Sequence, residues 1–520
     1  MKRNIMAVSA VLILLVLLAK VLAFVRDPLV AALFGADHRT DAFFTALTIT
    51  TFLFSFVAPT ITASIIPLFI QERDQHGTAE AWRKFSGIVT LMAMVLVLSV
   101  AVLGLVAPWV VQLVSAGSDV TTQVLTVRLV RIMSPLLVAM PLSFFVSALL
   151  NAEKRFYLPG ALPLIGNAMI LVVIVLLYKT AGIGAVAWGT LVGAVVQLLL
   201  VAGAARSRLV VSRVMFAGLA PLFRQIGAVG WPVFAAAVVF NLNFLVMMHL
   251  SSYQADGTYS FLTYGLRIQQ VFLDLLFASL ATVVFPCLSD LARSNDRQQL
   301  GALSLFGMKS ITVALVPVSV LLIVLRVPLI EIVYQRSAGL PSVVLGISTA
   351  LAFFSFSLVA FGVVEIFNRI FFAQKDTRTP LLITIIGTTT ALLWYLAIGK
   401  TYNGLGLALA YSLGAIMTAV VGLVAVHRRL SWTSTTFVPF LGQVFLAGGL
   451  CGLAAYGVFA YFGPAFSPTL TNQAIRAALS AALGLVVFGA SLRLLKVKEL
   501  TQLGQLFSPR LSRHDRGGGA

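Results

Sequence analysis

The chain has 520 residues, of which 60% are hydrophobic and only 10% are charged. Soluble globular proteins carry about 25% charged residues, so the composition excludes a soluble enzyme, a disordered chain and a disulfide scaffold. The net charge of +19 is of the kind that nucleic-acid-binding proteins carry. In a membrane protein, however, its meaning depends on where the charges lie.

Apolar runs of about twenty residues recur along the whole chain, and each is long enough to cross the hydrocarbon core of a bilayer. The pattern predicts an all-α polytopic membrane protein. The first run follows Met1-Lys2-Arg3-Asn4 and resembles a signal sequence, but it lacks a small-residue cleavage site, so an uncleaved helix is predicted. The fourteen predicted spans cover residues 5–34, 41–70, 85–114, 124–150, 161–178, 183–204, 224–250, 257–290, 303–325, 343–373, 380–398, 404–427, 437–462 and 473–495.

The lysines and arginines indicate the topology. Most lie in segments that are cytoplasmic if the N-terminus is cytoplasmic, which fits the positive-inside rule and places both termini in the cytoplasm. This asymmetry explains the net charge without nucleic acid, and the basic tail over residues 493–516 is expected to lie against anionic lipid. The external segments hold Arg26, Arg39, Lys179, Arg326, Arg336, Lys400 and Arg476.

An internal repeat has a period of 219 to 222 residues. Because each repeat has an even number of spans, the two halves are parallel, and two facing six-helix lobes are predicted, as in transporters that bind substrate between lobes. The predicted domains are 1–215 for the first lobe, 216–430 for the second, 431–495 for two added helices and 496–520 for the tail. The matching pairs are Pro67 with Pro286, Pro108 with Pro328, Ser115-Ala-Gly with Ser337-Ala-Gly, and the segment 152–159 with 373–380.

Charged residues inside spans are the candidate functional residues, because each costs roughly 2.5–3.5 kcal/mol to insert. Cations outnumber acids among them, and surplus arginine and lysine suit an anionic substrate such as a pyrophosphate. Asp274 lies seven residues after Arg267, on the same helix face, and is a candidate counter-ion for it. The candidates are Lys20, Arg26, Asp27, Asp41 and Arg267, with Arg128, Arg131, Asp274, Glu365 and Arg369 as secondary candidates.

Several of these residues have a purely structural alternative. Arg26 and Asp27 could form a surface pair at a helix end, and Glu365 and Arg369, at i and i+4, could only neutralise each other. Arg128 and Arg131 could extend to the membrane interface. Lys20 and Arg267 are surrounded by apolar sequence and are the stronger cavity candidates.

Enzyme and metal motifs are absent from the sequence. No G-x-S-x-G, H-E-x-x-H or Walker A run occurs, the five histidines are scattered, and Cys287 and Cys451 are far from metal or redox spacing. A transporter rather than an enzyme is predicted, with no cofactor. Its energy source would be a coupling ion (Na⁺ or H⁺), the membrane potential or substrate mass action. Asn241 and Asn243 are candidates for a sodium site, or for interhelical hydrogen bonds.

The N-terminal segment Lys20-Val-Leu-Ala-Phe-Val-Arg26-Asp27, followed by Thr40-Asp41-Ala-Phe-Phe44, resembles the signature of the MurJ lipid II flippases. These belong to a superfamily with multidrug extruders and oligosaccharide-lipid flippases. The segments 150–156, with Asn167, and 369–380 match the equivalent stretches between spans 4 and 5 and spans 10 and 11.

The resemblance implies two lobes around a cationic cavity in the bacterial inner membrane. The cavity receives the headgroup of an undecaprenyl-linked precursor, alternating access exports it, and spans 13 and 14 hold the lipid tail. Cell-wall synthesis enzymes are further candidate partners. By motif, Lys20 stands where the family usually has arginine, and Arg26, Asp27, Asp41 and Arg267 stand at cavity or gate positions.

The sequence departs from the family in the second span and before Arg267. The family usually carries a lysine, paired arginines and a glutamate there, whereas this chain has Thr48, Phe54, Ser55 and Ala58-Pro59-Thr60, and Leu266 replaces a common aspartate. A flippase for another lipid-linked oligosaccharide is therefore the main alternative to a lipid II flippase. A multidrug extruder and a non-transporting scaffold are weaker alternatives, because neither accounts for the surplus cations.

Overall fold

The computed structural model describes residues 2–209, 216–293, 297–334, 341–374, 376–430, 437–461 and 469–497. These residues form seventeen α-helices and one short 3₁₀ helix at Thr401–Gly404, with no β-strand among them. The prediction of an all-helical chain is confirmed. The helices are α1 Lys2–Phe34, α2 His38–His76, α3 Thr78–Val114, α4 Val120–Met133, α5 Leu136–Ala152, α6 Tyr157–Ala181, α7 Gly184–Ala205, α8 Phe216–Ser251, α9 Thr258–Arg293, α10 Arg297–Val324, α11 Arg326–Val333, α12 Pro341–Ser355, α13 Leu358–Ala373, α14 Arg378–Ile398, α15 Gly406–Leu430, α16 Phe437–Tyr461 and α17 Leu470–Leu494.

The helices coincide with the fourteen predicted spans. Eleven stretches of the described residues are long and apolar enough to cross a membrane, and the bent pair α12 and α13 makes a twelfth. The other two predicted spans, 5–34 and 257–290, fall on α1 and α9, of 33 and 36 residues. These two helices carry Lys20, Arg26, Asp27, Arg267 and Asp274, which are five of the ten candidate charges.

The helix α2 shows how local sequence sets these elements. Asp37 precedes it in an extended conformation, and its carboxylate accepts hydrogen bonds from the backbone N–H groups of Arg39 and Thr40. The Thr40 hydroxyl in return accepts from the Asp37 N–H, at 2.9 Å, which completes a capping box. The helix ends at Gly77, whose φ of 86° favours glycine. Its 39 residues span roughly 58 Å, more than the hydrocarbon thickness.

The chain divides into two compact units. The first contains Met1–Thr263, Tyr334–Val343 and Tyr395–Leu407, and the second contains Tyr264–Val333, Val344–Trp394 and Ala408–Ala520. In the first unit, α8 packs along α2, and the rings of Phe56 and Phe234 meet edge to face with centroids 4.9 Å apart.

The predicted domain limits stay a prediction. The predicted boundary between the lobes, the repeat partner Ser337-Ala-Gly, the tail beyond Val497 and the side chain of Cys287 lie outside the described residues.

The repeat is visible in two helix breaks. The helix pairs α4–α5 and α12–α13 are interrupted at positions 222 residues apart, and the second pair bends by 43°. In the first break, Pro135 has no N–H for the Arg131 carbonyl, and the Ser134 hydroxyl donates to that carbonyl at 3.0 Å instead.

The second break contains no proline. The carbonyls that lose their helical donors there accept hydrogen bonds from two other helices. Ser319 of α10 donates to the Ser355 carbonyl at 2.6 Å, and Ser412 of α15 donates to the Phe353 carbonyl at 2.7 Å. Neighbouring helices thus stabilise the break, as irregular backbone inside a membrane requires.

The repeat also carries two equivalent carboxylate–arginine pairs at the end that is predicted to be cytoplasmic. Glu153, after α5, is nearly buried and pairs with Arg208, beyond α7, and it accepts from the Trp82 indole at 2.7 Å. Asp376, after α13, pairs with Arg429 at the end of α15, 221 residues beyond Arg208.

The Asp376 carboxylate is stabilised in its charged form. Burial acts to raise the pKa of Asp376, but hydrogen bonds from Thr379 and Arg429 outweigh burial and hold this pKa below its usual range.

Candidate substrate site

The strongest candidate cluster lies between α1 and α6 in the first unit. Arg26 donates from Nε to Asp27 Oδ1 at 2.9 Å, and its Nη2 lies 2.9 Å from the same oxygen. Its Nη1 donates to Asn167 Oδ1, also at 2.9 Å. The Arg26 and Asp27 side chains are 21% and 14% exposed, so the pair is not the freely solvated surface pair of the alternative interpretation.

Lys20 lies on α1, six residues before Arg26, next to the buried Ala19. Its side chain is exposed. The helix therefore presents one exposed and one half-buried cation within about two turns.

The Asp41 carboxylate joins the start of α2 to the start of α9, two parts of the first unit that are far apart in the sequence. Asp41 lies in the first turn of α2, and its carboxylate accepts from the Gly257 N–H at 2.7 Å, the Ser260 N–H at 2.7 Å and the Ser260 hydroxyl at 2.5 Å. These groups form the N-terminal turn of α9, where backbone N–H groups lack partners within the helix and the helix dipole favours negative charge. Asp41 is therefore an N-cap supplied from another helix. We call this contact the Asp41 cap.

At the positions in α2 where the family usually has charges, the three hydroxyl side chains Thr48, Ser55 and Thr60 are all hydrogen-bonded within the protein. Thr48 shares a 2.8 Å hydrogen bond with the Tyr259 hydroxyl. Ser55 and Thr60 donate to carbonyls of their own helix, at 2.6 and 2.8 Å. Between Asp41 and Glu72 the helix carries no charged side chain, so its central part is neutral.

Arg128 and Arg131 lie on α4, and both side chains are exposed. The Arg131 Nε donates to the Gly104 carbonyl of α3 at 3.2 Å. Pro108 follows Gly104 by four residues and has no N–H, so it leaves this carbonyl without its helical donor. Arg131 replaces that donor, which favours the structural interpretation of this residue over a cavity role.

We expect replacement of Arg131 by leucine to destabilise the protein by about 1 kcal/mol, because the Gly104 carbonyl loses its donor. Thermal unfolding in detergent would measure this loss, with Arg128→Leu as a control of equal charge change on the same helix. If Arg131 contacts substrate instead, the Arg131 variant should lose substrate binding at an unchanged melting temperature.

The second unit holds the remaining candidates. Arg267 is half-buried on α9. Glu365 and Arg369 lie one turn apart on α13, and both Arg369 and Asp274 lie close enough to Glu365 to interact with it electrostatically. Asp274, the candidate counter-ion for Arg267, is thus near a second carboxyl group.

A separate cavity of about 440 Å³ in the first unit is lined by apolar residues of α2 and α3, including Phe52, Leu98, Val102 and Val106. None of the described charged candidates lines it. Among the described residues, no group of three or more His, Cys, Asp or Glu is placed to hold a metal ion. Asn241 and Asn243 donate to carbonyls of their own helix at 2.8 and 3.0 Å.

Two features of the site were not predicted. The sequence singles out Asn167 only as a motif residue, although a polar amide in an apolar helix must find a partner when it is buried. The partners of Asp41 at Gly257 and Ser260 lie more than 210 residues away, and no local pattern indicates them.

Comparisons with known proteins identify the family of this chain. A sequence profile of the lipid II flippase MurJ matches residues 30–475, which is most of the chain. The chain belongs to the MurJ family. A MurJ relative from Burkholderia cenocepacia, a lipid II flippase, is 26% identical over 84% of this chain and 87% of its own length. A probable lipid II flippase MurJ from Rhizobium meliloti is 25% identical over 82% of this chain and 81% of its own length.

Solved structures confirm the MurJ fold. A lipid II flippase MurJ in an inward closed conformation superposes with a TM-score of 0.78 at 23% identity, over 93% of this chain and 99% of that one. An inward-facing multidrug transporter of the MATE family superposes with a TM-score of 0.65 at 16% identity, over 81% of this chain and 95% of that one. The predicted relation to both flippases and extruders is confirmed at the level of the fold.

Proposed function

We propose that this chain is a lipid II flippase, which moves lipid II from the inner to the outer leaflet of a bacterial cytoplasmic membrane for peptidoglycan synthesis. The observation that carries the proposal is the family match over residues 30–475. The chemistry of α1 supports it, because Arg26 is held by two hydrogen-bonded partners inside an apolar helix and suits a pyrophosphate.

The site residues have distinct roles in this proposal. In the first unit, Lys20 and Arg26 attract the pyrophosphate, and Asp27 orients Arg26. In the second unit, Arg267 is a separate candidate for binding the anionic cargo. The Asp41 cap holds α2 against the start of α9 at the predicted external end, and we propose that it breaks when that end opens. A carboxylate that accepts three hydrogen bonds is well suited to such a contact, because each bond is strong but all of them can be exchanged for water.

The energy source and the topology belong to the same proposal. Both termini lie in the cytoplasm, where the positive-inside rule places the basic loops. We propose that the membrane potential, a coupling ion such as Na⁺ or H⁺, or substrate mass action supplies the energy, since the sequence has no ATP-binding motif. Membrane lipids surround the protein, and enzymes that use lipid II outside the membrane are its expected functional partners.

A second candidate cargo is another polyprenyl-linked saccharide. The neutral α2 favours this alternative. Where the family usually presents charges, Thr48, Ser55 and Thr60 carry hydroxyls that are hydrogen-bonded within the protein. The pyrophosphate would still bind Arg26, whereas the sugar-facing contacts would differ.

The test is complementation of a bacterium depleted of its own lipid II flippase. We expect the wild-type chain to restore growth and lipid II on the outer leaflet, and the Arg267→Ala variant to fail at equal membrane abundance. Failure of the inserted wild-type protein would indicate a different polyprenyl-linked glycan. Ion-coupled efflux of a cationic dye without rescue would instead indicate a multidrug extruder.

A further inference from the structure

Asn167 of α6 uses both ends of its side-chain amide. The oxygen accepts from Arg26 Nη1 at 2.9 Å. The nitrogen donates to the Pro163 carbonyl of the same helix at 2.9 Å and to the Ala19 carbonyl of α1 at 3.4 Å. Because a side-chain amide has two N–H donors and one acceptor oxygen, this arrangement fixes which end faces Arg26.

Arg26 is thereby held from two sides. Asp27 accepts hydrogen bonds from Nε and Nη2 on one edge of the guanidinium, and Asn167 accepts one from Nη1. A guanidinium has five N–H donors in a rigid fork. These contacts leave one N–H on each Nη, which is the arrangement that binds a phosphate through two parallel hydrogen bonds.

The two supports of Arg26 differ in charge. The carboxylate of Asp27 offsets the positive charge of Arg26, whereas the amide of Asn167 orients the guanidinium and leaves its charge unchanged. A second carboxylate at position 167 would give the cluster a net charge of −1, which repels an anion in the low-dielectric surroundings of a membrane helix.

We propose that Asn167 is a positioning residue that aims Arg26 at the pyrophosphate of the cargo while keeping the Arg26–Asp27 cluster from becoming anionic. This inference rests on the proposed function, because it assumes an anionic cargo. The competing interpretation is that Asn167 only joins α1 to α6 through the Ala19 and Pro163 carbonyls.

Charge exchange within the cluster separates these interpretations. The substitution N167D keeps the size and the acceptor oxygen but adds a negative charge. The double substitution D27N/N167D returns the net charge to that of the wild type with the carboxylate and the amide exchanged. Binding of lipid II and, separately, of inorganic pyrophosphate would be measured on full-length protein in lipid nanodiscs, together with the melting temperature of each variant.

We expect N167D to weaken binding of both probes by at least about tenfold, because a unit charge near the ligand is felt strongly at low dielectric. The variant N167A should weaken binding less than N167D, and the double variant should return to within about threefold of the wild type. If Asn167 only joins α1 to α6, N167A and N167D should lower the melting temperature alike. Adding D27N to N167D would then not restore binding. These two results would overturn the inference.

The two probes distinguish this inference from the proposed function. If the wild type binds pyrophosphate but not lipid II, the cargo assignment is wrong, and the order of the variants toward pyrophosphate still decides the role of Asn167. If the wild type binds neither probe, both the cargo assignment and the positioning role are wrong.

Discussion

Replacement of Arg26 by alanine is expected to abolish rescue of a flippase-depleted bacterium and to weaken lipid II binding by at least about 100-fold. Hydrogen bonds to a charged group contribute about 1.5–3 kcal/mol each, and the free N–H groups of Arg26 offer two of them to a phosphate. Arg26→Lys should recover only part of the affinity, because an ammonium group cannot reproduce the planar fork that Asp27 and Asn167 hold in place.

The matched control for Arg26 is Arg39→Ala. Arg39 lies at the start of α2, is 55% exposed and pairs with Asp37, so its loss changes the net charge equally without touching the candidate site. Membrane abundance and melting temperature of both variants should match the wild type. Full rescue by Arg26→Ala would show that the cluster on α1 does not bind the cargo.

Replacement of Asp41 by alanine is expected to release the first turn of α9 and to impair transport. The carboxylate accepts two backbone N–H groups and one hydroxyl, and an N-cap alone contributes about 1–2 kcal/mol. Hydrogen exchange of the Gly257 and Ser260 amides should therefore accelerate by about tenfold or more. Asp41→Asn should give a smaller change, because its amide oxygen still accepts but lacks the charge that interacts with the helix dipole.

Asp119→Asn is the control for the Asp41 cap. Asp119 lies before α4, and a hydrogen bond from the Thr121 hydroxyl holds the pKa of Asp119 below its usual range, but its carboxylate is bound only locally. The exchange of the α9 amides should be unchanged in this variant. Equal exchange in Asp41→Ala and the wild type would contradict the assigned cap.

Much of the architecture could be predicted because the length of an apolar run in the sequence is enough to locate a membrane helix. Apolar length located the helices and the repeat was found in the sequence, but the equivalent breaks at Ser134–Pro135 and Phe356–Ser357 lie inside spans that were predicted as continuous. Proline explains the first break from the sequence alone. The second could not be predicted, since its carbonyls are satisfied by Ser319 and Ser412, which come from two other helices.

The candidate site was predicted as a list of charges rather than as a set of contacts. The pairing of Arg26 with Asp27 followed from their adjacency. The third partner, Asn167, is 141 residues away, and the bond from Arg131 to Gly104 depends on a carbonyl that Pro108 leaves open on a different helix. Such contacts depend on how helices pack, and spacing along one helix does not determine them.

We propose that this chain carries lipid II across a bilayer by means of the cations Lys20 and Arg26 on α1. A direct measurement uses purified protein in proteoliposomes that contain lipid II, with a lipid II-cleaving enzyme added outside. The wild type should make the inner-leaflet lipid II accessible to the enzyme over time, whereas Arg26→Ala should not. Cleavage that stops at the same level in wild-type vesicles and in protein-free vesicles, with insertion confirmed, would contradict this proposal.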